Sequence, residues 1–215
     1  TRGRTVLAGV LLGLHFATWL PSLAFTSIAA STTIVTSGPV WVVLLLWIGR
    51  GERPTAATLA GVGVALAGGA VLALGDVEGL GHGSRPLLGN LLALVAAITY
   101  AGHLLLGQSV QALGLGLWRW TSVVAAVGAA TVLPLVLLGD LDGPLPASFW
   151  LWGLALTLVP QLVGHSSFTW AVRWLSPTLV SVVILFEPVL ASLGGALLYD
   201  EVPGAAVAVG AAVLV

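Results

Sequence analysis

The chain has 215 residues, of which 58% are hydrophobic and 7% charged, with a formal net charge of −1 and no cysteine. A soluble globular domain carries about 25% charged residues, so the composition excludes one. The missing thiols exclude disulfides, thiolate metal sites and cysteine catalysis, and the few basic groups, all arginine, are too scattered to form a nucleic-acid surface.

Apolar runs of about 20 residues, the length a helix needs to cross the hydrocarbon core, alternate with Gly, Pro, Arg and acidic punctuation. They predict eight helices, at 5–24, 28–49, 55–74, 86–107, 118–138, 149–171, 177–198 and 203–215. The short alternating segments of a membrane β-barrel are absent from the sequence. The fold class read here is an all-α, polytopic membrane helical bundle.

Polar residues inside such runs are costly, which makes them functional candidates. His15, Trp19 and Ser22 follow helical spacing on 5–24, and Thr36 and Ser37 approach Pro39 on 28–49. Asn90 comes early on 86–107, with Tyr100 and His103 near its end; Gln161, His165 and Phe168 form a stripe on 149–171. Glu187, on 177–198, is the one acidic residue away from the loops. These stripes predict a route lined by His15, Trp19, Thr36, Ser37, Tyr100, His103, Gln161, His165 and Glu187. A plainer role stands beside it, since a membrane histidine also serves as an interhelical hydrogen bonder, and Glu187 as a local partner at a kink. Pro39 and Pro188 lack an N–H and crowd the carbonyl four residues earlier, so each predicts a helix kink with free carbonyls. Gly9, Gly13 and Gly61 are expected to allow close helix approach. Tryptophans near helix ends, Trp120 among them, are expected at the headgroup level.

The chain also repeats itself. Ser27, Pro39, Glu52 and Pro54 recur as Ser176, Pro188, Glu201 and Pro203, each pair 149 residues apart. Internal duplication of this kind is typical of secondary transporters. Arg2, Arg4, Arg50, Arg53, Arg119 and Arg173 fall on one side of the predicted helices. The other side carries Arg85 with the acidic residues Asp76, Glu78, Asp140, Asp142, Asp200 and Glu201. The arginine-rich side is therefore expected to be cytoplasmic, with the second copy inverted relative to the first. The offset places two further helices of the first copy before Thr1 and continues the last helix past Val215. The expectation is eight helices of a ten-helix, 5+5 inverted-repeat protein.

The pattern S-P-T-x7-F-E-P-V-x-A-x-L-G-x6-E-x-P at 176–203, with its relative T-S-I-A-A-S-x7-P-x12-E-R-P at 26–54, resembles the EamA repeats of the drug/metabolite transporter superfamily. The resemblance implies that 1–75 is a first EamA repeat lacking its first two helices and that 86–215 is a second repeat with a truncated last helix. It also implies an inner-membrane permease with a central cavity, moving small metabolites such as amino acids or amphipathic compounds by alternating access. The expected partners are a small-molecule substrate, the lipid bilayer and, as candidate coupling ions, protons; no nucleic acid, cofactor or metal is expected. No serine elbow, phosphate loop or dinucleotide fingerprint is present in the sequence, so no enzyme is expected. Two other classes are a membrane-embedded enzyme using Glu187 and a histidine, and an accessory structural membrane protein.

Overall fold

The computed structural model describes residues 1–64, 67, 84–139, 144–184, 187, 190, 194, 197–198, 200, 205 and 208–209, and among them there is no strand. Helix α1 spans Arg2–Phe25 and runs through Pro21. It is followed by α2 (Ile28–Val35), α3 (Gly38–Arg50) and a helical segment α4 at 56–64. Next come α5 (Pro86–Gln111) and α6 (Leu117–Leu138). The run α7 (Ala147–Leu156), a π-helical segment (Thr157–His165) and α8 (Ser166–Ala171) is continuous, and α9 covers Pro177–Ile184. Five spans among the described residues, of 21 to 26 residues each, are long and apolar enough to cross a membrane. At 1.5 Å per residue these exceed the roughly 30 Å hydrocarbon core. The all-α membrane bundle is what the structure shows.

Local chemistry sets the element ends. Ser27 caps α2 by accepting the Ala30 N–H at 3.1 Å, and Ser176 accepts the Leu179 N–H at 3.2 Å, so the two serines 149 residues apart do the same work. Gly51, in the left-handed region at φ 69°, closes α3 with its N–H on the Trp47 carbonyl. The expected kink at Pro39 is a break that separates α2 from α3. There Ser37 N–H bonds to the Ile34 carbonyl and Val40 N–H to the Ser37 carbonyl, three-residue loops in place of the α ladder. Pro188 lies outside the described residues, as does most of the helix expected at 203–215.

The chain forms two compact units, and α1 and α5 each contribute to both. In the unit made of Thr1–Gly13 and His103–Val180, α1 packs closely on α6. A Cβ on Gly9 would meet the Val127 Cβ at 2.6 Å, and one on Gly13 the Gly128 carbonyl oxygen at 2.8 Å. Lipid offers no hydrophobic drive for helix pairing, so such small-residue contacts and interhelical hydrogen bonds hold the bundle. Gly61, in contrast, has no described neighbour within 4 Å of where a Cβ would sit, so the packing role expected of it is not seen. Trp120, in the first turn of α6, is 1% exposed, and its ring fits the notch at Gly107, 3.2 Å from where a Cβ would sit.

In the unit made of Leu14–Gly102 and Ser181–Val215, α1, α2 and α5 share an interior in which polar pairs alternate with small apolar side chains. Ala30, Ile34 and Ala93 form an apolar cluster, with Leu94 packed against it. Beside it the Ser22 and Ser31 hydroxyls lie 2.6 Å apart, and the Thr26 hydroxyl donates to Asn90 Oδ1 at 2.8 Å. Gly89 leaves the space that Thr26 fills, since a Cβ there would lie 2.6 Å from the Thr26 Cβ.

Candidate functional site

The nine sequence-predicted residues divide between the units: His15, Trp19, Thr36, Ser37, Tyr100 and Glu187 belong to the second, and His103, Gln161 and His165 to the first. Each group is built from its own helices.

In the second unit, His15 on α1 is buried and its Nδ1 lies 3.0 Å from the Ala96 carbonyl oxygen on α5. A carbonyl only accepts, so Nδ1 carries the proton. The imidazole contacts three aromatic rings, with centroids at 4.8 Å for Phe16, 5.4 Å for Trp19 and 5.0 Å for Tyr100. Tyr100 is itself buried and interacts electrostatically with the half-buried Glu187. The Trp19 indole N–H is shielded from solvent and has no hydrogen-bond partner among the described residues, a state that costs about 1–3 kcal/mol. His15, Trp19, Tyr100 and Glu187 are therefore brought together, and Phe16 joins them without having been predicted.

Thr36 and Ser37 sit instead at the α2–α3 break. Thr36 is buried and its hydroxyl donates to the Thr32 carbonyl at 2.8 Å. The Ser37 hydroxyl donates to the Ile34 carbonyl at 2.7 Å and accepts the Trp41 indole N–H at 3.1 Å. In this conformation both hydroxyls serve the backbone at the break.

In the first unit, His103 on α5 repeats the geometry of His15, with Nδ1 at 3.0 Å from the Ala8 carbonyl oxygen on α1. His15 follows Ala8 by seven residues and Ala96 precedes His103 by seven, two helical turns in each case. His103 also lies 5.9 Å, centroid to centroid, from Trp120. Gln161 lies in the π-helical segment, which contains Pro160 and ends at His165. Helical segments of this kind occur often at functional sites. Among the described residues the Gln161 Oε1 is buried without a partner, as are Gln111 Oε1 and Ser166 Oγ. Gln111 was missed because the helix was expected to stop at 107; it runs one turn further and ends before Gly114, at φ 84°. No cluster of His, Asp or Glu suited to a metal ion occurs among the described residues.

A family model described as the EamA-like transporter family matches residues 87–215. The chain belongs to the EamA-like transporter family. An "Uncharacterized transporter" of Archaeoglobus fulgidus is 26% identical over 199 residues, covering 92% of this chain and 68% of the relative. A solved structure titled only "Crystal structure of protein" aligns with a TM-score of 0.64 at 20% identity, covering 98% of this chain and 83% of its own. That likeness concerns the fold. The EamA-like chain is thus a multi-pass integral membrane protein of a transporter family, and its family points to transport rather than catalysis.

Proposed function

We propose that this EamA-like protein is a secondary transporter of the plasma membrane that moves small metabolites, such as amino acids or amphipathic compounds, by alternating access. In this reading His15, Trp19, Thr36, Ser37, Tyr100, His103, Gln161, His165 and Glu187 line the route. The α2–α3 break and the kink expected from the sequence at Pro188 serve as the joints, in two EamA repeats at 1–75 and 86–215.

The observation that carries the reading is Glu187. A half-buried carboxyl group in an apolar run, acting on a buried tyrosine whose ring packs on a histidine, is costly unless it is protonated, faces water or meets a cationic group. Mid-span arginine is absent, which disfavours a phosphate ester, since phosphate recognition relies on Arg or Lys. Protons are the candidate coupling ion, with Glu187 as their site.

Uptake and efflux are to be measured with the full-length protein in cells sensitised to amino acids and toxic analogues. Glu187→Gln is expected to reduce transport of amine-bearing substrates and to flatten its pH dependence. Transport by that variant with its full pH dependence would remove Glu187 as the coupling site, and no flux for any metabolite tested would overturn the transport reading for these substrate classes.

A further inference from the structure

Within the first unit the Gln111 side chain is locked. Its Nε2 donates to the Thr169 carbonyl oxygen at 2.7 Å. That oxygen cannot donate, so the carboxamide cannot be flipped and Oε1 must be the atom left over. Gln111 is 4% exposed, and its Oε1 is shielded from solvent without a hydrogen-bond partner. One turn before Thr169 on the same face of α8 stands Ser166, 7% exposed, whose hydroxyl is likewise shielded and unpartnered. Gln161, five residues before Ser166 in the π-helical segment, carries the third such oxygen.

Three shielded oxygens, none with a hydrogen-bond partner among the described residues, ask for a partner that is a cation or a hydrogen donor. The backbone adds to this. Gln111 ends α5 and Thr169 lies in the last turn of α8, so two helix C-terminal ends, each partly negative, meet at this contact. Among the described residues of the unit there is no Asp or Glu, and Arg173 is exposed. Calcium and magnesium sites draw on carboxylates, whereas neutral carbonyl and hydroxyl oxygens suit a single positive charge.

We propose that Gln111 Oε1 and Ser166 Oγ, together with Gln161 Oε1, form a site for a small monovalent cation, either an alkali ion or the protonated amino group of a small molecule. Both sources present a compact positive charge to acceptor oxygens. The proposal does not depend on the transport reading, because binding is read without flux.

The test is thermal unfolding of the full-length protein in lipid nanodiscs, titrated at constant ionic strength with NaCl, KCl or methylammonium chloride against tetramethylammonium chloride. The last is too bulky and has no N–H to donate. A saturable rise in Tm with an alkali ion assigns the site to the ion, and a rise with methylammonium alone assigns it to an amino group. In either case Ser166→Ala, which removes only the hydroxyl, is expected to weaken the apparent affinity by about tenfold, the range of one lost hydrogen bond to a charge. Should Ser166→Ala not fold, Gln161→Leu, at a half-buried position, gives the same reading. A Tm that is the same in all four salts, or a rise that both variants keep in full, overturns the proposal.

Discussion

Ser37 illustrates how a polar residue in a span can be claimed by its own backbone. Pro39 supplies no N–H, and the ladder breaks between α2 and α3. The Ser37 hydroxyl bridges that break, taking the Trp41 N–H on one side and giving its proton to the Ile34 carbonyl on the other. Ser37→Ala leaves a half-buried indole N–H and a carbonyl without this link, and is expected to destabilise the full-length protein by about 1–2 kcal/mol. Thermal or denaturant unfolding in detergent measures it; an unchanged stability would show that the bridge contributes nothing. The sequence made Ser37 visible as a polar group near a proline, because apolar surroundings advertise such residues. Which partner its hydroxyl takes depends on the φ and ψ of the break, and no pattern of residue types carries that. Gln111 was hidden for another reason: a helix continues past its last apolar stripe until a terminator such as Gly114 arrives.

At the scale of elements, length and hydropathy made the spans legible, since only a continuous apolar run satisfies the backbone inside a bilayer. The π-helical stretch at Thr157–His165 was not, because one extra residue per turn leaves the apolar periodicity almost intact. Helix contacts were legible where glycines recur at helical spacing on a face that meets another helix. Gly9 and Gly13 press on Val127, Gly128 and Thr131 of α6, while Gly61 faces open space among the described residues. Gly9→Ala is therefore expected to cost about 1–3 kcal/mol, since its methyl would overlap both Val127 and the Val124 carbonyl oxygen. Gly3→Ala, with nothing within 4 Å, serves as the matched control and should be neutral or slightly stabilising through helix propensity. Equal effects at the two positions would mean that α1 does not approach α6 this closely.

For the whole molecule, the question is which surfaces meet water and which meet lipid, and exposure in the bare structure does not answer it. Leu137 is 74% exposed on α6 and Leu151 65% exposed on α7, yet both are apolar and lie in spans suited to hydrocarbon. His165 and Glu187 are half-buried, and the transport proposal puts them on a wet route. The absence of native cysteine makes the distinction measurable by single substitutions. Thiol reagents act on the thiolate, which forms in water and is suppressed in an apolar medium. Cysteines at His165 and Glu187 should accordingly react with a charged, membrane-impermeant reagent, while those at Leu137 and Leu151 should react at least about ten times more slowly despite their greater exposure. Lipid shields the second pair, whereas an alternating route must wet the first pair in at least one of its states, so substrate or pH should also change their labelling. The opposite order, fast at the leucines and slow at the two polar positions, would describe a dry interior with water on its outer faces, and neither a membrane bundle nor a transport path could be kept.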